Sequence, residues 1–586
     1  MADPFNTIKL VLLLIVGGWF SGHLISSYQR KPIAFRSADS VNFLISFFFL
    51  LALLVSTLLT DIKIIGFIGD TQRRNGFLAY FCLTVIFLYA SRIANFQSIL
   101  IFFKIVIITT LVLSAYGILQ ISGNDFVSWS NPYNRMISTL GNPNFASALL
   151  AVFSVILIFG LYLESLSKIY KMISIIAILM SIFAIIASES RQGILVLLFS
   201  SLFYLVIYVH KNKIKFSTSI NLLSFLAFTF SVAGMLQKGP LTSLLYKDSV
   251  SVRGYYWRAG WEMFKANFFS GVGVDRYGAH FKEYREPGYA LKYGFEIGSS
   301  NAHNVIIQLF STAGILVGSL YLILLSYILI SGLKLVYKTS GQEQKIILTL
   351  LAAWIGFVSQ SFISIDNIGI SVWGWLLGGL ISGLNLNSKQ DDWGIKKVDF
   401  SNKNPKVVQI NLIQPIFSIL FLIPLTFVSV YLMKFETDLY KVRAITLTKA
   451  PENNTHGLHF ASKILNNPLG DPNYKFEAAM SLLDLGYVKE GSEAFEALYK
   501  NDPDNLFYLN LIARNEAKLG RINLAINARE KISILDPWNA ENYLSLCELY
   551  LQSNNLPRAS QIKDKIWSFA PNSAQAKMVS NLFKNS

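Results

Sequence analysis

The sequence predicts an all-α, polytopic membrane protein that ends in a C-terminal α-solenoid, and three observations support this fold class. Of the 586 residues, 53% are hydrophobic and 15% are charged, and the mean hydropathy is +0.45. These values exceed those typical of soluble globular chains. Apolar segments long enough to cross a hydrocarbon core recur up to residue 433, and amphipathic segments with a 34-residue period follow them.

Twelve apolar segments predict about twelve transmembrane helices, because a helix crosses a bilayer with roughly 20 residues. They lie at 8–27, 41–60, 76–91, 98–121, 145–163, 169–187, 193–209, 217–236, 304–332, 346–364, 368–385 and 409–433.

The distribution of basic residues predicts the orientation of these helices. One alternate set of short loops contains seventeen Lys and Arg residues, and the other set contains five. By the positive-inside rule the richer set is cytoplasmic, so we expect the long loop (residues 237–303) and everything after residue 433 to lie outside the cytoplasm. The same rule places Met1 outside, which suggests that a first helix is missing from this sequence. The net charge of +16 therefore belongs to membrane-protein loops and does not indicate a nucleic-acid partner.

The C-terminal part has an internal period of 34 residues. Three kinds of position repeat at this spacing: Pro503, Pro537 and Pro571; Gly486, Gly520 and Asn554; Gly491, Ala525 and Ala559. They resemble tetratricopeptide repeats, whose helix pairs stack into a solenoid with a concave binding surface. We therefore divide the chain into a transmembrane domain at 1–433 and a separate, extracytoplasmic TPR-like domain at 434–586, through which a protein partner could bind.

The long loop contains an amphipathic helix. Four residues at steps of four, four and three share one face, and this face suits the membrane interface, where it would contact lipids: Arg253, Trp257, Trp261 and Phe264. The chain has two cysteines, Cys82 and Cys547, which are too far apart in sequence and setting to indicate a disulfide or thiolate metal site. No nucleotide-binding or zinc-binding motif is present, so no cofactor and no metal are expected.

Polar residues of the predicted outer face form four groups, at 69–76, 138–144, 188–193 and 253–303. A single arginine at a helix end is often an interfacial anchor, and for Arg73 and Arg74 this interpretation is favoured. Several guanidinium groups around one outer pocket are, however, what a diphosphate requires, because each planar fork matches two phosphate oxygens. The candidate binding residues are Arg253, Arg74, Arg73, Asn142, Asn144 and Asn304.

His303 directly precedes an apolar segment, and two interpretations are open. It could cap the following helix, or, as a neutral imidazole, it could accept a proton from a hydroxyl nucleophile while arginines stabilise a departing diphosphate. The neighbouring Asn301 and Asn304, the long polar loop and the arginines on the same side favour the second interpretation.

The motifs GNPNFA (141–146), SRQG (190–193), R-x-x-x-x-R-x-x-W (253–261) with GVG after it, and AHN (302–304) resemble those of the O-antigen ligase and polymerase superfamily, which includes bacterial O-oligosaccharyltransferases. The resemblance covers roughly 60–385. In this family the histidine is followed by a polar residue, nine residues and G-x-x-G. Here Gly314 fits that pattern, but the second glycine is Gly318, one position late, and Phe268 replaces a usual proline.

The resemblance implies a GT-C-like, metal-independent glycosyltransferase of the bacterial cytoplasmic membrane, with His303, Arg258 and Arg191 as catalytic residues. Its donor would be a glycan linked to a polyprenyl diphosphate such as undecaprenyl diphosphate. The acceptor would be the lipid A core in lipopolysaccharide biosynthesis, a protein hydroxyl, or a growing glycan in a polymerase. A polysaccharide-lipid flippase is the alternative of another class, although mid-membrane ionisable residues are few and no related halves are evident.

Overall fold

The computed structural model describes residues 5–30, 33, 38–127, 135–215, 217–235, 238–242, 248–387, 413–448 and 453–585. Within these residues the regular elements are helices and no strand is present, which confirms the all-α fold class. The basic segment 388–412, expected to be cytoplasmic, lies outside the described residues.

The described residues of the first part of the chain form sixteen α-helices: α1 (Asn6–Arg30), α2 (Ala38–Leu59), α3 (Lys63–Ile68), α4 (Phe77–Ile93), α5 (Phe96–Ile121), α6 (Pro143–Gly160), α7 (Lys168–Ala187), α8 (Arg191–Lys211), α9 (Ser217–Met235), α10 (Asp248–Ala266), α11 (Tyr277–Tyr284), α12 (Pro287–Tyr293), α13 (Val305–Lys338), α14 (Gly341–Ser361), α15 (Ile368–Asn387) and α16 (Ile413–Thr448).

Each of the twelve predicted spans corresponds to one of these helices. Nine helices among the described residues are long and apolar enough to cross a membrane, which confirms a polytopic membrane protein. Of the other three, α4 and the segment Ile368–Leu384 of α15 are shorter apolar helices, and α14 begins with polar residues. All three are largely buried in the bundle. Small residues allow this close packing: a Cβ added to Gly383 of α15 would lie 2.1 Å from the carbonyl oxygen of Ser91 in α4.

Helix α13 is broken at Gly314, whose φ of 81° and ψ of −176° interrupt the helical backbone. The segment that follows α10 fits against this break. Ile315 N–H donates to the carbonyl of Phe268 at 2.9 Å, and a Cβ on Gly314 would lie 2.0 Å from the carbonyl oxygen of Phe269. Glycine is required here because a side chain would collide with backbone and because L residues rarely adopt this φ. The break gives the residues after His303 a short helix of their own.

The C-terminal helices are α17 (Asn454–Leu465), α18 (Pro472–Asp484), α19 (Val488–Asn501), α20 (Leu506–Lys518), α21 (Ile522–Leu535), α22 (Ala540–Gln552), α23 (Leu556–Phe569) and α24 (Ala574–Asn585). Consecutive helices pack in pairs. Gly486, Gly520 and Asn554 have φ of 90°, 74° and 58° in the equivalent turns, and these left-handed conformations explain the 34-residue spacing of Gly and Asn. The TPR-like assignment itself stays a prediction.

The first part of the chain and the C-terminal helices contact each other through buried charges. The proposed boundary at 433 falls inside α16, which continues without a break to Thr448. Arg285 of the long loop donates to Asp536 at 2.6 Å, with side chains 0% and 1% exposed. Arg276 lies 3.8 Å from Asp502. The C-terminal helices therefore dock on the long loop instead of extending from the last span as a detached solenoid.

Candidate active site

The backbone around His303 forms a tight turn before α13. His303 has a φ of 52°, in the left-handed region, and its N–H donates to Oδ1 of Asn301 at 2.8 Å. The cap of α13 is Asn304, whose Oδ1 accepts the N–H of Ile307 at 3.0 Å. Since Asn304 already caps the helix, the capping interpretation of His303 has no support in the geometry.

The imidazole of His303 is partly buried and lies between an aromatic ring and basic residues. It stacks on Tyr256 with 5.3 Å between ring centroids and 24° between planes. Burial, together with the positive charges of Arg253 and Arg73, lowers the pKa of His303 to about 3. The ring is therefore neutral near pH 7 and has a nitrogen lone pair available to accept a proton.

Arg253 and Arg73 come from segments that are distant in sequence. Burial lowers the pKa of Arg253, and its Nε has no hydrogen-bond partner within the described residues. Arg73 lies in the turn at 70–75 between α3 and α4, where its N–H donates to the carbonyl of Asp70 at 3.0 Å. The structure thus brings two predicted arginines to the predicted histidine.

Asp275 holds the Arg73 turn in place. Its Oδ2 accepts the backbone N–H of Asp70 at 2.8 Å and that of Asn75 at 3.3 Å. Burial, and then the nearby charge of Asp70, raise the pKa of Asp275 to about 7. Asn75 also donates from its side chain to the carbonyl of Asp366 at 2.7 Å, which ties the turn to the start of α15. Sequence analysis missed Asp275, which lies two residues after the GVG turn.

Arg74, the neighbour of Arg73, has a different environment. Its guanidinium is 2% exposed and lies 3.5 Å from Glu436 of α16 and 3.4 Å from Asp471 before α18. It also donates to the hydroxyl of Thr7 in α1 at 3.3 Å. The structure therefore places Arg74 in a buried charge cluster that joins both ends of the chain, and not beside His303.

Arg258 lies on a different face of α10 from Arg253. Its Nε and Nη2 donate to the two carboxylate oxygens of Glu286 at 2.6 and 3.0 Å, and its guanidinium lies 4.7 Å from the centroid of Tyr255. The hydrogen bonds to Glu286 raise the pKa of Arg258. The Arg258 side chain is 52% exposed, so it presents a two-pronged group at the surface of the long loop.

The predicted interfacial face of α10 is only partly as expected. Phe264 is 5% exposed and packs in the protein, whereas Trp261 is 52% exposed and is available to the membrane interface. The buried face is instead made by Tyr256, Ala259 and Met263, which pack against α11 and the turn before α13. This arrangement fixes Tyr256 under the His303 ring.

The remaining candidates lie at the starts of α6 and α8. Asn142 caps α6 by accepting the N–H of Asn144 at 2.9 Å, and Asn144 Oδ1 accepts the hydroxyl of Ser190 at 2.7 Å. Arg191 is the first residue of α8 and follows Ser190 directly. Asn144 therefore joins the start of α6 to the helix start that carries Arg191, and Asn142 caps α6.

Hydrogen bonds connect this helix start to the His303 turn. The side chain of Gln192 donates to Gln360 at 3.3 Å, and Asn304 Nδ2 donates to the carbonyl of Phe362 at 3.0 Å, so both segments attach to the end of α14. The starts of α6, α8 and α13 consequently share one end of the bundle. Arg191 is connected to His303 through this shared attachment.

The fold and the site define a polytopic membrane protein with a neutral histidine and several arginines at one end of its helix bundle. Residues 175–322 match the family model described as O-antigen ligase, Wzy_C. The chain therefore carries a domain of the O-antigen ligase superfamily, as its motifs predict. The match includes Arg191, Arg253, Arg258 and His303. A comparison with curated proteins gave no match.

Proposed function

We propose that this protein transfers a glycan from a polyprenyl-diphosphate carrier to an acceptor hydroxyl at the outer face of the bacterial cytoplasmic membrane. The family match supports an O-antigen ligase or polymerase type of activity in general. The observation that carries the finer proposal is the neutral ring of His303 beside Arg253 and Arg73.

His303 is proposed as the general base. Its ring nitrogen takes the proton of the acceptor hydroxyl as the hydroxyl oxygen bonds to the anomeric carbon of the donor sugar. The bond from that carbon to the diphosphate oxygen breaks, and the diphosphate leaves with the electron pair. An imidazole with a pKa of about 3 is a weak base. Burial is the larger cause of the low pKa, and a bound diphosphate would offset the smaller contribution from Arg253 and Arg73. Donor binding is therefore proposed to raise the pKa of His303.

The arginines are proposed to bind the diphosphate and to stabilise its charge as it leaves. Arg253 and Arg73 are the two arginines whose positive charges lower the pKa of His303. Arg258 would exchange Glu286 for phosphate oxygens, because a carboxylate and a phosphate offer the same pair of acceptors to a guanidinium fork. Arg191 would act from the start of α8, where backbone N–H groups also favour an anion.

Guanidinium groups can stabilise a leaving diphosphate without a metal ion, and we propose a metal-independent reaction. Purified protein treated with EDTA should keep its transfer rate. Restoration of a lost rate by Mg²⁺ or Mn²⁺ would contradict this part of the proposal.

The proposed acceptor is the lipid A core, with a protein hydroxyl or another glycan repeat as alternatives. The proposed location of the site and of the C-terminal helices is extracytoplasmic, supported by the excess of Lys and Arg in loops at the other end of the bundle. The many apolar helices and the family match support a multi-pass protein of the bacterial inner membrane.

A gene disruption tests the function directly. Cells without the gene should accumulate the polyprenyl-diphosphate-linked glycan. They should also lack one product, which is glycan-bearing lipopolysaccharide, a glycoprotein, or glycans longer than one repeat. The missing product identifies the acceptor. Unchanged donor and unchanged products would refute the proposal, and loss of donor from the outer leaflet would indicate a flippase instead.

A further inference from the structure

A polar cleft of ≈ 940 Å³ lies where the C-terminal helices dock on the long loop. Its walls are the end of α2, residues 267–284 of the long loop, and the connection from α19 to α20. The cleft uses the face of α11 that carries Gly278 and Lys282, whereas Tyr277 and Phe281, on the other face, pack with Tyr256 under His303. The cleft is therefore separated from the histidine by α11.

The charges of the cleft favour an uncharged ligand over a diphosphate. Five carboxylates line the cleft, together with two basic side chains and one histidine: Asp61, Glu283, Glu296, Asp502 and Asp504 against Arg276, Lys282 and His280. Both basic groups are already paired, since Arg276 lies 3.8 Å from Asp502 and Lys282 lies 3.0 Å from Glu296. Asp504 pairs with Lys531 at 2.7 Å and Glu283 lies 3.3 Å from His280, so carboxylates already occupy the basic groups that an anion would need.

The other lining groups suit sugar hydroxyls. The amide of Asn501 contributes a donor and an acceptor, and carboxylates contribute further acceptors, so a hydroxyl that both donates and accepts finds two partners. Asn267 and Asn510 also line the cleft, but Asn267 Nδ2 already donates to Tyr284, and the amide of Asn510 bonds to Arg529 and to the carbonyl of Leu506. Phe507, at the start of α20, is 62% exposed and offers an apolar surface for the C–H face of a sugar ring. The volume is at the upper end of the roughly 300–1,000 Å³ typical of ligand sites, which leaves room for more than one sugar.

We propose that this cleft binds a neutral or amino-sugar oligosaccharide. The inference rests on the proposed glycan transfer for its biological meaning, but the binding itself does not require catalysis. The oligosaccharide belongs either to the donor, beyond its diphosphate, or to the acceptor. In both cases the docked C-terminal helices complete a glycan-binding site and orient the bound oligosaccharide relative to His303.

Binding is tested with full-length protein in detergent micelles. The probes are oligosaccharides released by mild acid from the lipid-linked donor and from the lipopolysaccharide of the host strain, with an oligogalacturonate of similar length as the acidic control. The double variant Asn501→Ala, Phe507→Ala removes one amide and the exposed ring, and Leu519→Ala, at a residue that is 63% exposed outside the cleft, is the matched control. Thermal unfolding confirms that each variant is folded.

The double variant should weaken binding of one neutral probe by about tenfold or more, equivalent to about 1.4 kcal/mol, while Leu519→Ala binds like wild type. The probe affected identifies donor or acceptor sugars as the source. His303→Asn should retain full probe binding although transfer stops, so failure of the catalytic proposal and failure of this one are distinguishable. Preference for the acidic probe, or equal binding by wild type and the double variant, would overturn the assignment.

Discussion

Replacing His303 by asparagine separates catalysis from structure more cleanly than replacing it by alanine. His303 has a φ of 52°, a conformation that asparagine adopts readily and that costs alanine roughly 1–2 kcal/mol. The cap of α13 is Asn304 and stays intact in the variant. The substitution removes the stacking of the imidazole on Tyr256, which is worth about 0.5–1.5 kcal/mol. His303→Asn should therefore remain folded and inserted.

The expected loss of activity is larger than this structural cost. A general base contributes about 10²–10⁴-fold to a rate, which corresponds to roughly 2.7–5.4 kcal/mol of activation free energy at 1.36 kcal/mol per factor of ten. Asparagine cannot accept a proton near neutral pH. We expect His303→Asn to lower the transfer rate by at least about a hundredfold while the affinity for the donor changes little.

Transfer is measured in proteoliposomes with a labelled polyprenyl-diphosphate-linked donor, and donor binding is measured separately without acceptor. His459→Asn is the matched control, because His459 is exposed on α17 and its ring lies beside Phe460 in the C-terminal helices, away from the His303 turn. A His303→Asn rate within a few-fold of the wild-type rate would show that the histidine is not the base.

Arg258→Lys should lose most transfer activity despite its retained charge, because an ammonium cannot replace the two-pronged contact seen with Glu286, and near-normal rates in membranes would reject this role. Burial raises the pKa of Asp275 to about 7 from its ordinary value of 3.8, so this group binds more protons in the folded state and its contribution to stability falls as pH rises from about 4 to 7. Asp275→Asn, which keeps an acceptor oxygen, should consequently gain stability relative to wild type over that range, and a difference in thermal unfolding that is constant with pH would contradict this. Asp536→Ala should lower the free energy of unfolding by about 3–5 kcal/mol, because Arg285 is left buried with carbonyl partners only. Glu262→Ala is the control, since it breaks a half-exposed pair with Lys265 and should cost at most about 1 kcal/mol. Equal losses of stability for the two variants in denaturant unfolding would refute the docking role of Asp536.

The break at Gly314 distinguishes the roles of the two glycines, Gly314 and Gly318, in α13. Gly314 provides the non-helical backbone, and a Cβ on Gly318 would lie 2.6 Å from the ring of Phe310. The two glycines have separate tasks, a backbone turn and a close side-chain contact. Only the backbone turn at Gly314 ends the short helix that follows His303.

Features that depend on local physics follow from the amino-acid sequence alone. Hydropathy over about 20 residues predicts spans because the membrane core requires internally bonded, apolar helices. The 34-residue period predicted the turns at Gly486 and Gly520, because a left-handed turn selects glycine wherever it occurs. The motif around His303 likewise predicted the superfamily that the family match supports.

Tertiary packing, in contrast, determines which arginine lies beside the histidine. Arg73 and Arg74 are adjacent in sequence, yet the positive charge of Arg73 lowers the pKa of His303, while Arg74 pairs with Asp471, 397 residues away. Arg258 fits the motif but lies against Glu286. A guanidinium group pairs with whichever acceptor lies within reach in the folded protein. For these arginines the acceptors belong to distant segments, which come close only when the helices pack and the C-terminal helices dock.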